Sequence, residues 1–219
     1  MTTVWQLDVN GEPSTSRIEQ LCLAHTYGSG GDESCENTVR AVENFLFGQT
    51  VDHYAALSMD AVPILADLVG GVPVTIDTDM TAVDPRLIEG ETVTLEGELA
   101  LSYVRARQIV SDGTNQSRMA RQEQFLRAAW EAWKEKTASG DAVELGTDAL
   151  VSLGERLRSD CTVQKLSRFL ERTEQCDLTV LPAPAGEAKI SEESIAEFYV
   201  DDDALEQTVL KLFYREEIS

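Results

Sequence analysis

The stretch VDHYAALSMDAVPILADLVGGVPVTI, residues 51–76, constrains the fold more than any other part of the chain. A short run, VDHYAALSM, reads as a strand. DAVPILADLVGG then places apolar residues at helical spacing, and VPVTI follows as a second compact, β-branched run. Asp60 is positioned to cap the helix, and Pro63 falls in its first turn, where a missing N–H costs nothing. Gly70-Gly71 stops it. Strand, helix, strand is the unit from which α/β sheets are built.

The flanking sequence extends that pattern. TVWQLDV alternates as a half-buried strand does and runs into the turn signal NGEPSTS. RIEQLCLAHTY predicts a helix through Ile18, Leu21, Cys22 and His25 that ends at Gly28. A second helix starts around Asp32 and Ser34, carries Val39, Val42, Phe45 and Leu46 on one stripe and closes at Gly48. Residues 78–98 loosen into turns, with one extended piece in TVTLEGEL. A long helix is expected over 117–136, and amphipathic helices over ALVSLGERL and TVQKLSRFLERTE. CDLTVLPAPAGEA suggests a strand leading into a loop, and DDDALEQTVLKLFY a last helix whose acidic start suits the positive end of its dipole. With 219 residues and no internal repeat, one α/β domain is the economical expectation.

Charge narrows the range of functions. Lys and Arg number 18 against 39 Asp and Glu, a net charge of -21. Sequence-independent nucleic-acid binding draws its affinity from basic side chains, so this balance argues against it. Flat adhesion to an anionic bilayer is disfavoured for the same reason. No apolar run reaches the roughly 20 residues needed to span a bilayer, and MTTVWQLDVNGEP lacks the charged and apolar regions of a signal peptide. The cysteines are Cys22, Cys35, Cys161 and Cys176. They form no CxxC, and the only histidines are His25 and His53, which gives a zinc site little support. Each cysteine reads first as a small buried hydrophobe, with Cys22–Cys35 and Cys161–Cys176 as local disulfide candidates in an oxidising compartment.

Against that acidity, LSYVRARQIVSDGTNQSRMARQEQF, residues 101–125, gathers Arg105, Arg107, Arg118 and Arg121 around a Gly- and Asn-containing turn. On an extended segment Arg105 and Arg107 would share a face. Arg118, Arg121, Gln122 and Phe125 follow i, i+3, i+4, i+7 and share one face of a helix that begins near Asn115 or Ser117. A helix start already offers free N–H groups to an anion, and guanidinium forks there favour bidentate contact with phosphate. Surface arginines paired with the abundant carboxylates remain the alternative for any one of them. Phe125, Leu126, Ala129, Trp130 and Trp133 read as core, with a cavity wall as the second possibility.

These motifs resemble the LytR–CpsA–Psr (LCP) family, known also as the cell envelope-related transcriptional attenuator domain. LSYVRARQ and SRMARQEQFL resemble its R-x-R and R-x-x-R-Q signature, and AHTYGSGG resembles its tyrosine–glycine turn. Residues 51–76 resemble its strand–helix–strand segment, GETVTLEGELALSYVRAR the approach to the arginines, and EFYVDDDALEQTVLKLFY its closing helix. The resemblance implies a three-layer α/β/α sandwich with a central mixed sheet and an apolar lipid cavity, here as a single domain over 1–219. It also implies an N-terminal membrane helix, a metal-binding Asp region and first strands, all expected upstream of Met1.

The activity implied is an extracytoplasmic, membrane-anchored transferase of cell wall biogenesis. It would move teichoic acid or capsular polysaccharide from a polyprenyl (pyro)phosphate carrier to peptidoglycan, usually with Mg²⁺. Arg105, Arg107, Arg118 and Arg121 would contact phosphate as the catalytic set, supported by Gln122, with Asn115 and Phe125 on the substrate. Where the family carries an Asp three residues before the helix arginine, this chain has Asn115, with Asp112 close by. Gln20 and Cys22 stand where the family has Lys and Asn. A non-catalytic polyprenyl-phosphate or glycan-binding module and a polyprenyl-pyrophosphate hydrolase are the alternatives. A direct DNA-binding regulator is opposed by the charge.

Overall fold

The computed structural model describes residues 2–7, 10, 12–107, 115–138, 142–173, 176–190 and 196–214. In chain order the elements are β1 (Thr2–Leu7), β2 (Pro13–Glu19), α1 (Gly31–Phe45), β3 (Ala55–Leu57), α2 (Val62–Leu68), β4 (Val72–Thr75), β5 (Thr92–Leu95) and α3 (Gly97–Arg105). There follow α4 (Asn115–Thr137), α5 (Ala142–Leu153), β6 (Leu157–Ser159), α6 (Val163–Thr173), β7 (Gly186–Ile190), β8 (Ala196–Val200) and α7 (Asp202–Phe213). The chain divides into two compact units, Met1–Tyr54 with Leu181–Ser219, and Ala55–Val180.

In the first unit β1 pairs antiparallel with β2, Thr2 opposite Glu19, with a register shift between Gln6 and Leu7. This corrects the helix expected from Arg17. Residues 13–19 instead pair with β1, and the ladder claims their backbone groups, leaving only a 3-10 turn at Leu21–Leu23. α1 forms as expected. Its start is fixed by Ser34, whose Oγ accepts from the Gly30 N–H at 3.0 Å. It buries Ser34, Cys35, Asn37 and Ala41, a face rotated from the expected valine stripe. Asn37 Nδ2 donates to the Ala24 carbonyl at 2.7 Å, beside a small core of Val4, Ala24 and Ala41. The tyrosine–glycine turn has a steric reason, since a Cβ on Gly28 would lie 2.5 Å from Ser34 Cα.

The strand expected at the start of residues 176–188 does not form there; the strand is β7 instead, which pairs antiparallel with the unpredicted β8. α7 is capped by Asp201, whose carboxylate accepts from the Ala204 N–H at 2.9 Å.

In the second unit, β3 does not share a sheet with β4. β3 pairs with β6, and β4 pairs with β5 in the register Val72 opposite Leu95. The α/β class holds, but among the described residues every sheet is two-stranded and antiparallel. β4 finds its partner locally because the intervening loop closes on itself. Ile76 N donates to Glu91 O at 2.9 Å, and Met80 N to Leu87 O at 3.0 Å. α2 begins after a 3-10 turn, and its cap is Ala61 rather than Asp60. Asp60 instead accepts from the Ser58 hydroxyl and pairs with Arg156 Nε at 3.0 Å, contacts that lower its pKa, the Ser58 hydrogen bond foremost. Gly70 and Gly71 do stop α2, both at positive φ.

The core is Val72, Val74, Ile76, Met80, Leu87, Leu95, Leu99, Ala100, Tyr103 and Val104, roofed by Phe125, Ala128 and Ala129 of α4. Its apolar burial is the main stabilising term for this unit. α5 and α6 pack as a helical pair, with room at Gly146 for no more than a Cβ 3.5 Å from Ser167 Cα and with the Thr147 and Ser167 hydroxyls 3.0 Å apart.

None of the four cysteines forms a disulfide, and only Cys35 is fully buried. Cys161 and Cys176 flank α6. Its 11 residues span roughly 16 Å, well beyond the ~7 Å between Cα atoms that a disulfide tolerates.

Candidate functional site

The arginine motif is built on helices. LSYVR continues α3, whose buried residues Leu99, Ala100, Tyr103 and Val104 follow the 3.6-residue period. The extended reading of VRARQ is thereby corrected: four core contacts at helical spacing outweigh the alternation of two arginines. Asp67 holds the start of α3, its Oδ1 accepting from the Gly97 N–H at 2.8 Å. Arg105 is the last helical residue, placed where a cation suits the negative end of the helix dipole. Ala106 then turns out of the helix (φ -53°, ψ 134°), and both Arg105 and Arg107 are exposed.

α4 carries the second half of the motif, on the face that sequence periodicity assigns. Phe125 packs against the core, as its helical position requires. One turn earlier Arg121 is almost fully buried, and its guanidinium donates to the Ala106 carbonyl. Gln122 Nε2 donates to the Val104 carbonyl at 3.2 Å. The two side chains therefore satisfy carbonyls at the open C-terminus of α3, groups that a helix leaves without internal partners. Arg118, half-buried, lies one turn nearer the start of α4, on the face that holds Arg121. The fold thus brings the first turns of α4 against the peptide between Arg105 and Arg107. Asn115 opens α4, while its side chain and Asp112 lie outside the described residues.

Two residues absent from the sequence-level site complete this junction. The Tyr103 hydroxyl donates to Gln124 Oε1, and Gln124 Nε2 donates to the Thr75 carbonyl at 2.8 Å, tying α3, α4 and β4 together. Tyr103 is buried, which pushes its pKa up to about 12. The Asp77 carboxylate adds to that rise, and the Arg121 guanidinium opposes it. The apolar spacing of Leu99 and Tyr103 could have placed Tyr103 in the core. Nothing local to Gln124 marks it.

A cleft of about 570 Å³ in the same unit is lined by Val69, Gly71, Thr94, Ala128, Glu131 and Lys136, among others. Its charged rim differs from the apolar lipid cavity that the resemblance implies. Its α4 residues lie in the second half of that helix, about 10–27 Å along the axis from Arg121 and Arg118 at 1.5 Å per residue.

The sequence model of the LytR_cpsA_psr family matches residues 7–209. The chain belongs to the LytR_cpsA_psr family. It is 26% identical over 192 residues to the polyisoprenyl-teichoic acid–peptidoglycan teichoic acid transferase TagU of Bacillus mycoides (strain KBAB4), covering 87% of this chain and 60% of TagU. The chain therefore spans about 60% of the length of the TagU relatives it matches. The protein gbs0355 of Streptococcus agalactiae shares the fold with a TM-score of 0.72 at 17% identity, over 96% of this chain and 71% of that one. The structure of TagT bound to LI-WTA superposes with a TM-score of 0.65 at 20% identity, over 95% of this chain and 73% of TagT. The expected family and α/β fold class are borne out.

Proposed function

We propose that this LytR_cpsA_psr chain is the phosphate-handling part of an envelope phosphotransferase. Its substrate would be an anionic glycopolymer of the teichoic acid class on a polyisoprenyl (pyro)phosphate carrier, and its acceptor peptidoglycan. The observation that carries this reading is the Arg121–Ala106 contact, which fixes the arginine face of α4 against the turn bearing Arg105 and Arg107. The name of the TagU relative, a teichoic acid transferase, supports the substrate class.

In this reading an acceptor hydroxyl attacks the phosphorus next to the sugar, a P–O bond to the carrier phosphate breaks, and a phosphodiester forms. Arg105 and Arg107, exposed and able to reach substrate, would neutralise charge growing on the departing phosphate. Arg118 would hold the other phosphoryl oxygens, and Arg121 would fix the frame. Preorganised donors aimed at developing charge are usually the largest contribution to such a step.

Mg²⁺ takes one or two carboxylates and completes its shell with substrate phosphates and water, and when bound to the substrate phosphates it would supply further charge neutralisation. The carrier's tail would need an apolar surface, and the site would face outward from the membrane at the cell envelope. No helix among the described residues is long and apolar enough to cross a membrane.

Binding of geranyl pyrophosphate, a short soluble carrier, tests the arginine set. R105Q/R107Q is expected to weaken it by about 10- to 100-fold, as loss of charge-assisted contacts to phosphate would. Unchanged binding in that variant would overturn the assignment.

A further inference from the structure

α6 turns a second basic surface to solvent, on an element outside the arginine junction. Its inner face packs on α5 through buried Ser167 and half-buried Val163, Leu166 and Leu170. Its outer face carries Lys165, Arg168, Phe169 and Arg172, all exposed, at i, i+3, i+4 and i+7. Phe169 leaves 62% of its surface in water. Arg168 and Arg172 make no ion pair with a described residue. Glu171 stands at the flank of the stripe. In a chain of net charge -21, where carboxylates outnumber cations about two to one, three neighbouring cations around an exposed ring are the reverse of the overall balance.

We propose that this face of α6 is a docking track for a linear polyanion in which phosphodiesters join sugar or polyol units. Arg168 and Arg172 lie one helical turn apart, about 6 Å along the axis, so their forks meet neighbouring phosphates of one strand. Lys165 adds a third charge on the same line. The Phe169 ring offers the apolar C–H face of a sugar or polyol a flat surface between those cations.

Charge reach selects a flexible strand over a bilayer. A strand needs complementarity only within a Debye length of the stripe, about 8 Å at physiological salt. A bilayer must meet a broad area of an acidic surface, and its attraction for the few basic residues fades within the same short distance. The choice of polymer rests on the transferase reading, whereas the preference of the stripe for a flexible polyanion does not.

The test is fluorescence anisotropy of a labelled poly(glycerol phosphate) oligomer against the full chain and its R168Q/R172Q, F169A and R105Q/R107Q variants, across a salt series. The substituted α6 positions are exposed, and melting curves verify that each variant is folded. R168Q/R172Q is expected to weaken oligomer binding about tenfold or more and to flatten its salt dependence. F169A is expected to weaken it severalfold at an unchanged salt slope, and geranyl pyrophosphate should bind both α6 variants as it binds the unaltered chain. Oligomer binding that survives R168Q/R172Q but is lost in R105Q/R107Q would overturn the α6 track and leave the transferase reading standing. Oligomer binding lost in R168Q/R172Q, with geranyl pyrophosphate indifferent to R105Q/R107Q, would support the track and count against the transferase site. Equal capture of a single-stranded DNA oligomer or of phosphatidylglycerol vesicles through Arg168 and Arg172 would overturn the assignment to a sugar or polyol phosphate polymer.

Discussion

The guanidinium of Arg121 donates to the carbonyl of Ala106, the one residue between Arg105 and Arg107. A buried charge-assisted contact of this kind holds two helices in register and presents the neighbouring arginines outward.

Removing it should cost stability as well as function. R121Q is expected to lower the unfolding free energy by about 1–3 kcal/mol, because it strips a half-buried carbonyl of a charged donor. R118Q, at a half-buried position, should cost less stability. Urea denaturation of both variants checks the order, and equal loss would contradict the distinct role given to Arg121.

Tyr103 predicts an alkaline limit. Its folded-state pKa is pushed up to about 12 from 10.0, chiefly by burial. The unfolded chain therefore releases the phenol proton first, and above pH 10 the unfolded state gains relative to the folded one. The contribution of this group is fully present below pH 10 and is lost as pH rises towards 12. Melting temperature against pH should bend down in that window, and Y103F should remove part of the bend.

Thiol chemistry should follow burial. A maleimide reagent is expected to label exposed Cys22 and Cys176 first, Cys161 more slowly and Cys35 only on unfolding. Under oxidising conditions peptide mapping should recover no Cys161–Cys176 link, because α6 holds the two apart.

Gly71 should resist substitution. Its φ is +92°, and an added Cβ would come within 2.4 Å of Thr94 Cγ2. G71A is expected to lose about 1–3 kcal/mol through strain and the displaced strand neighbour. A variant as stable as the unaltered chain in urea would contradict that close approach.

Much of this architecture is legible in the sequence where a long apolar period has a clear stop. α1, α4 and α7 lie where caps and spacing put them, and β3, α2 and β4 where the 51–76 stretch predicts. Two of the departures share a cause, since pairing or packing in the fold overrides a local pattern. Arg17–Glu19 carries helical spacing but is taken by β1. Arg105 and Arg107 alternate like a strand, yet Leu99, Ala100, Tyr103 and Val104 bury at helical intervals and decide the segment. The motif residues of the candidate site could be read directly. Tyr103 and Gln124 could not, because their role exists only once α3, α4 and β4 meet.

Transferase chemistry is tested by following radiolabelled glycopolymer from a polyprenyl pyrophosphate carrier to peptidoglycan with this protein in the presence of Mg²⁺. Label covalently joined to peptidoglycan is expected, abolished by EDTA and reduced at least about 100-fold in R105Q/R107Q, as when donors to a developing charge are removed. Label released as free glycopolymer phosphate, or carrier bound with no label leaving it, would contradict the transferase reading.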